Sequence, residues 1–187
     1  MKAIFIDRDG VINKDPGGWT KYNYVTEWKD FHFIPGTLEA MKILKKKGVM
    51  VIVASNQGGV SRGYYTKERL GEINHLMLDQ IRENGGDVKE VFYCIHTDED
   101  NCSCRKPKPG MLEEAAKKYG IDAKETYFIG DDKKDILAGK KIGCKTVLVL
   151  SGKSSLEDVE KWNEKPDYVF KDILEAVKNL IKDKGGK

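Results

Sequence analysis

A short apolar run that ends abruptly in two carboxylates constrains this chain more than any other feature. Ala3–Ile6 is typical of a strand buried on both faces, and Asp7, Asp9 and Gly10 follow it. Residues two apart in an extended chain point the same way, so we expect Asp7 and Asp9 to converge just beyond the strand. Two close carboxylates repel each other unless a cation neutralises them, and Mg2+ prefers oxygen ligands. The run therefore indicates a magnesium site, with an ordinary acidic turn as the alternative.

Apolar runs alternate with amphipathic stretches along the rest of the chain. Further strands are predicted at residues 49–54, 88–94, 126–129, 146–150 and 168–170. Helices are predicted between them, and the one that starts at Thr66 runs to about Asn84. In that helix the core face is predicted to hold Leu70, Ile73, Leu76, Met77, Leu78 and Ile81. A helix between successive strands makes βαβ units, so the fold class is α/β with a mostly parallel sheet.

Polar groups also follow the other predicted strands. The second strand runs into the glycine-rich segment Ser55–Gly63, whose hydroxyl, amide and N–H groups suit a phosphate, while Arg62 suits a second anionic group. Arg105 and Lys106 come after the third strand, and Asp131 comes after the fourth. An open parallel sheet binds ligands in the crevice beyond the carboxyl ends of its strands. We therefore expect all these groups to meet the first two carboxylates at one edge of the sheet.

Such a set of groups around Mg2+ forms a phosphoryl-transfer site, in which positioning and charge neutralisation dominate. We expect Asp7 to attack phosphorus and form an aspartyl-phosphate, which water then hydrolyses. We expect Asp9 to protonate the leaving oxygen and later to activate that water. Asp135, in the helix after the fourth strand, would support Asp131. The predicted activity is that of a magnesium-dependent phosphomonoesterase.

Three of the four cysteines lie within one stretch of eleven residues. Cys94 and His96, followed by Cys102 and Cys104, place four ligands at a spacing that suits one tetrahedral Zn2+. Cysteines as close as Cys102 and Cys104 are poor disulfide partners. A zinc ion closed by four protein ligands would be structural and would hold the zinc loop, residues 94–110, in shape. Arg105 and Lys106 of that loop would then project into the crevice, with a solvated basic turn as the alternative.

The segment between the first strand and the first helix, residues 14–34, is long and aromatic. Its rings are those of Trp19, Tyr22, Tyr24, Trp28 and Phe31. A connection of this length without clear periodicity is typical of a functional loop. We expect it to lie over the site on the substrate side, with a surface loop packed by its own rings as the alternative. No other insertion is large enough for a cap domain.

The composition is typical of a soluble protein, with 40% hydrophobic and 34% charged residues and a formal net charge of +3. The basic residues are dispersed among acids, which disfavours nucleic acid as a partner. No apolar stretch is long enough to span a bilayer, and the chain starts with a strand instead of a leader, so we expect a cytoplasmic protein without a membrane partner. We also expect a single domain over residues 1–187, a monomer, and a frayed Lys-Gly tail.

These motifs resemble the haloacid dehalogenase (HAD) superfamily of phosphatases over nearly the whole chain. The four HAD motifs correspond, in order, to Asp7–Val11, Ser55–Asn56, Lys106, and Gly130–Asp131 with Asp135. The resemblance implies a Rossmann-like fold of three α/β/α layers. It also implies that Asp7 is the nucleophile, that Asp9 is the acid and base, and that Ser55 and Lys106 stabilise the phosphoryl group. The Mg2+ ligands it implies are Asp7, the Asp9 carbonyl and Asp131.

Within the superfamily, the chain is similar to the zinc-containing branch of D-glycero-D-manno-heptose 1,7-bisphosphate 7-phosphatases and histidinol-phosphate phosphatases. The segments Ser55–Gly63 and Cys104–Met111 are more similar to the heptose enzymes. That likeness implies removal of the 7-phosphate from the heptose bisphosphate. It implies substrate contacts by Asn56, Gln57, Arg62 and Arg105. Two features depart from the pattern, because the loop after Asn13 is longer and Asp132 stands where a lysine often follows the motif.

Three other functions stay open at this point. A histidinol-phosphate phosphatase, or a phosphatase of another small phosphometabolite, would use the same groups. A receiver-type signalling domain also combines acids, a hydroxyl, a lysine and Mg2+, but it carries its phosphorylated aspartate after a middle strand, where this chain has the cysteine cluster. A phosphate-sensing protein without activity is disfavoured because no catalytic role is vacant.

Overall fold

The computed structural model describes residues 1–182, which form a six-stranded sheet in which every pairing is parallel. The strands are β1 (Ala3–Ile6), β2 (Met50–Asn56), β3 (Glu90–Cys94), β4 (Tyr127–Gly130), β5 (Lys145–Val149) and β6 (Tyr168–Phe170). Their order across the sheet is β3-β2-β1-β4-β5-β6. The predicted α/β class with a parallel sheet is confirmed. The Lys-Gly tail predicted to fray lies outside the described residues.

Helices cover both faces of the sheet. They are α1 (Thr37–Lys46), α2 (Lys67–Glu83), α3 (Gly110–Tyr119), α4 (Lys133–Lys141), α5 (Leu156–Glu160) and α6 (Ile173–Lys182), with short 3-10 helices at Trp28–Asp30 and Ala123–Glu125. One core cluster contains side chains of α1, α2 and α6, and a second contains side chains of α3 and α4. The three-layer arrangement is therefore confirmed, and within residues 1–182 no group of elements forms a separate cap.

The central strand shows why the apolar runs are continuous. Ile4 and Ile6 of β1 pack into the first core cluster, while Phe5 between them packs into the second, and none of the three is exposed. A strand covered on both faces needs an apolar side chain at every position. Each such side chain stabilises the fold by about 1.5–3 kcal/mol through burial.

The strand order creates the crevice that the sequence predicts. β1 pairs with β2 on one side and with β4 on the other, so the chain leaves β1 and β4 in opposite directions across the sheet. Such a reversal opens a gap beyond the carboxyl ends of the strands. β1 ends at Ile6, β2 at Asn56 and β4 at Gly130, which places the predicted motifs side by side.

Helix α2 departs from prediction at one turn. Thr66 caps it as expected, since its hydroxyl accepts a hydrogen bond from the Arg69 N–H. The prediction that Leu76 faces the core is wrong, because Leu76 is 39% exposed, whereas Asn74 is 6% exposed. The buried stripe begins at Leu70 and continues three, four, seven and eleven residues later, and a residue six positions on falls outside it.

Candidate active site

The predicted motifs converge on one cavity of about 380 Å3 at the carboxyl ends of β1, β2 and β4. Eight of the nine side chains predicted for the crevice line it: Asp7, Asp9, Ser55, Asn56, Arg62, Arg105, Lys106 and Asp131. Gln57, the ninth, lies behind the cavity wall and is completely buried. The parallel sheet thus brings together side chains that are more than one hundred residues apart in the chain.

Lys106 is a buried cation between two carboxylates. Its side chain is 2% exposed, and its Nζ lies 2.9 Å from Asp7 Oδ1 and 2.7 Å from Asp135 Oδ1. Burial alone would lower the pKa of Lys106, but the charges of Asp135 and Asp7 raise it above its ordinary value. The ammonium group therefore stays charged. Asn56 holds the backbone here, because its amide donates to Lys106 O and accepts from Lys106 N, both at 3.0 Å.

Three acids of the cavity form a cluster that one lysine does not neutralise. Oxygens of Asp7, Asp131 and Asp135 lie within 4.8 Å of one another. Burial raises the pKa of Asp7 to about 7, because the attraction of Lys106 only partly offsets the loss of water. Burial, together with the charges of Asp135 and Asp7, raises the pKa of Asp131 well above its ordinary value. An oxygen-only donor set with excess negative charge fits a hard divalent cation.

The two acids after β4 differ in how they are held. Asp135 Oδ2 accepts hydrogen bonds from the backbone N–H groups of Asp131 and Asp132, at 3.2 and 3.1 Å, while its other oxygen faces the lysine. Asp131 instead packs against the turn after β1. A Cβ atom at Gly10, where φ is +82°, would overlap the Asp131 carboxylate, and so would one at Gly152. Glycine at these two positions therefore lets Asp131 approach the first motif.

Asp9 accepts hydrogen bonds from three neighbouring side chains. Arg8 Nη2 lies 3.1 Å from both carboxylate oxygens, Asn13 Nδ2 lies 2.9 Å from Oδ1, and Gln57 Nε2 lies 2.7 Å from Oδ2. Gln57 is itself oriented by the hydroxyl of Tyr65, which donates to Gln57 Oε1 at 2.6 Å. These donors fix the direction of the Asp9 carboxylate.

The cysteine cluster is assembled as its spacing predicts. One atom each of Cys94, His96, Cys102 and Cys104 lies within 4.8 Å of the others, and Cys94 Sγ is 3.1 Å from Cys104 Sγ. Burial would raise the pKa of Cys102, but hydrogen bonds from Cys104 and from backbone amides lower it to about 7. A thiolate is the form that binds metal, so the cluster could hold a metal ion.

Comparison with known proteins identifies the family. Residues 103–176 match the family model described as HAD-hydrolase-like. The D-glycero-beta-D-manno-heptose-1,7-bisphosphate 7-phosphatase of Neisseria meningitidis serogroup A is 37% identical over 185 residues, which cover 98% of this chain and 96% of the relative. The protein of the same name from Pseudomonas aeruginosa is 40% identical over 178 residues, 95% of this chain and 97% of the relative. This chain belongs to the HAD superfamily of phosphatases.

A solved structure agrees with this HAD phosphatase in fold. The crystal structure of D,D-heptose 1,7-bisphosphate phosphatase from B. bronchiseptica, complexed with magnesium and phosphate, has a TM-score of 0.89 and 31% sequence identity. The match covers 98% of this chain and 99% of the other. The predicted family, fold and enzyme class are therefore confirmed. Within residues 1–182, the phosphatase has no helix that is both long and apolar enough to cross a membrane.

The predicted substrate-binding residues of the HAD phosphatase lie in different environments. Arg62 is exposed at the cavity. Arg105 also lines the cavity, where its Nε donates to Asp98 Oδ1 at 2.8 Å and its Nη1 donates to His96 O at 3.2 Å. Arg105 is thus held by hydrogen bonds within the zinc loop, and its contact with substrate stays a prediction. Gln57 makes no contact with the cavity and bonds instead to Asp9 and Ser55.

Several residues that line the cavity of this phosphatase were not predicted as site residues from the sequence. They are Asp15, Tyr64, Lys134 and Lys153. Lys153 follows strand β5, in a stretch that carries none of the predicted motifs. Its backbone N–H donates to Asp131 Oδ2 at 2.8 Å, and its side chain lines the cavity. A lysine after a strand carries no distinctive local signal. Asp132, the unusual motif residue, caps helix α4, where it forms a capping box with Asp135.

Proposed function

We propose that this HAD phosphatase removes the 7-phosphate of D-glycero-D-manno-heptose 1,7-bisphosphate, with Mg2+ as its cofactor. The observation that carries this proposal is the number of basic side chains that line the cavity, which include four besides Lys106: Arg62, Arg105, Lys134 and Lys153. One transferred phosphate needs Lys106, the lysine of the third motif, whereas further cations suit a substrate with a second phosphate. The relatives from N. meningitidis and B. bronchiseptica carry the name of such a bisphosphate.

The proposed chemistry proceeds in two steps on Asp7. In the first, an Asp7 oxygen bonds to phosphorus while the bond from phosphorus to the sugar oxygen breaks, and Asp9 gives its proton to that oxygen. In the second, Asp9 takes a proton from water, whose oxygen attacks phosphorus and releases phosphate from Asp7. Lys106 and Ser55 face the transferred group, and the lysine offsets its negative charge.

Mg2+ would be held by Asp7, the Asp9 carbonyl and Asp131, and when bound it supplies positive charge next to the transferred phosphoryl group. The oxygen donors and the raised pKa values of Asp7 and Asp131 support this assignment.

For the cysteine cluster we propose a structural Zn2+ held by Cys94, His96, Cys102 and Cys104. Three thiol ligands and one imidazole favour zinc over hard cations, and four protein ligands close the site to substrate. The cysteines are free of disulfides in the structure. We therefore place the enzyme in the cytoplasm, where thiols stay reduced.

A substrate panel tests the proposed activity. Phosphate release is measured on both anomers of the heptose bisphosphate, on fructose 1,6-bisphosphate and on histidinol phosphate. We expect the highest kcat/KM on the heptose bisphosphate, and loss of release in Asp7→Asn, while Asp79→Asn on the outer face of α2 serves as the matched control. Much faster turnover of histidinol phosphate would reject the heptose assignment, and phosphate release by Asp7→Asn would reject Asp7 as the nucleophile.

A further inference from the structure

Arg8 is the bulkiest side chain that is completely buried among the described residues, and it lies between the two carboxylates of the first motif. A guanidinium without access to water strongly destabilises the fold unless its charge and N–H groups have partners. The Arg8 side chain finds them in Asp9, with Nη2 at 3.1 Å from either oxygen, and in Asn74, with Nη1 at 3.2 Å from Oδ1. Arg8 therefore links the first motif to helix α2.

Asn74 is an amide in the otherwise apolar stripe of α2. It is 6% exposed, and it lies between Leu70 and Met77 on the buried face of the helix. Asn74 is not among the residues that line the cavity. Its oxygen accepts the hydrogen bond from Arg8, so any effect of Asn74 on the reaction passes through that guanidinium.

We propose that Asn74 positions the acid and base of the reaction by fixing Arg8, which in turn fixes the carboxylate of Asp9. This inference rests on the proposed role of Asp9. Because one Arg8 nitrogen contacts both Asp9 oxygens, rotation of the guanidinium moves the carboxylate with it. Asn74 holds the opposite end of the same planar group and prevents that rotation.

Two substrates with different leaving groups distinguish a positioning role of Asn74 from a general structural role. An alkoxide is a poor leaving group and needs the proton of Asp9, whereas p-nitrophenolate leaves without one. A misdirected Asp9 therefore slows phosphoryl transfer from a sugar phosphate to Asp7 and spares the same transfer from p-nitrophenyl phosphate. Hydrolysis of the aspartyl-phosphate, in which Asp9 acts as base, is common to both esters, so the comparison uses kcat/KM, which reports the first step alone. Damage to the fold, or to the nucleophile Asp7, slows both esters alike.

The experiment compares the two esters in Asn74→Ala. We expect kcat/KM on the sugar phosphate to fall about tenfold, part of the 10²–10⁴-fold that acid–base catalysis contributes, while kcat/KM on p-nitrophenyl phosphate stays within about twofold. Asn74→Asp keeps the oxygen acceptor and is expected to retain most of the sugar phosphate activity. His75→Ala changes an exposed neighbour in the same helix and is expected to behave like the wild type.

An equal fall in kcat/KM on both esters, or no fall on either, would overturn the proposed role of Asn74. Should Asn74→Ala fail to fold, Asn74→Ser leaves a smaller gap and repeats the comparison under the same criteria. Asp9→Asn distinguishes this inference from the proposed function. If Asp9→Asn lowers kcat/KM selectively on the sugar phosphate and Asn74→Ala does not, the inference fails alone. If Asp9→Asn lowers kcat/KM on both esters alike, the proposed role of Asp9 as the acid of the first step fails.

Discussion

Lys106 occupies a position where a neutral side chain leaves two carboxylates unpaired. Its ammonium lies between Asp7 and Asp135, and we propose that it offsets the charge of the transferred phosphoryl group. We predict that Lys106→Met lowers kcat for phosphate release by about 10²–10³-fold, the scale seen when one charge-stabilising group is removed from an active site. Lys108→Met removes a cation from the same loop outside the cavity and is the matched control. Retention of more than a tenth of the activity by Lys106→Met would contradict the assignment.

The raised pKa of Asp7 predicts a pH-dependent stability in buffer without Mg2+. The pKa is about 7 in the folded protein and 3.8 for an ordinary aspartate, so between these values the folded state binds more protons than the unfolded state. The free energy of unfolding therefore falls as pH rises from about 4 to about 7. We expect Asp7→Asn to gain Tm relative to the wild type between pH 5 and pH 8.

Mg2+ provides the internal control for this measurement. The cation binds the ionised carboxylates, so its addition is expected to raise the Tm of the wild type more at pH 8 than at pH 5. The same addition is expected to raise the Tm of Asp7→Asn less. A difference in Tm between wild type and variant that does not change with pH would count against the raised pKa.

At the scale of elements, two loops are joined over the site by an aromatic pair. Tyr22 of residues 14–34 stacks on Tyr64 of the loop before α2, with ring centroids 4.4 Å apart and planes 3° apart, and both rings line the cavity. Tyr24 packs beside them at 5.8 Å from Tyr64. Residues 14–34 therefore form part of the cavity wall, and their role on the substrate side stays a prediction.

We predict that Tyr64→Ala weakens substrate binding. The pair contributes about 0.5–1.5 kcal/mol beyond buried area to holding the cavity wall in place. Because the variant must order that wall when substrate binds, KM for the sugar phosphate should rise severalfold while kcat changes little. Tyr64→Phe keeps the ring and should match the wild type. A fall in kcat at constant KM would show that the pair acts on the chemical step instead.

The proposed Zn2+ would make the shape of the zinc loop depend on a metal ion. Removal of one ligand should release the ion and loosen the chain that carries Arg105 and Lys106. We predict that Cys102→Ser contains less than one zinc per chain, has a lower Tm and loses most of its activity. Cys144→Ala changes a buried thiol outside the cluster and is expected to keep the zinc. Full zinc content in Cys102→Ser, measured by atomic emission, would contradict this ligand set.

At the scale of the whole molecule, strand and helix positions followed from local patterns. The predicted strands agree with the observed ones within two residues at each end, because strands covered on both faces require uninterrupted apolar runs. Helix α2 shows where such reasoning fails. Leu76 was counted as core by its hydrophobicity, and Asn74 was overlooked because its partner, Arg8, lies 66 residues away.

The sequence by itself determined the alternating elements, the acids after β1 and β4, and the four clustered metal ligands, because each depends on residues that are close in the chain. Only the tertiary structure decided that Gln57 turns toward Asp9 rather than the cavity, that Lys153 reaches Asp131, and that Tyr22 meets Tyr64. These contacts join distant segments, and their partners are chosen by the packing of the sheet and its loops rather than by any local pattern.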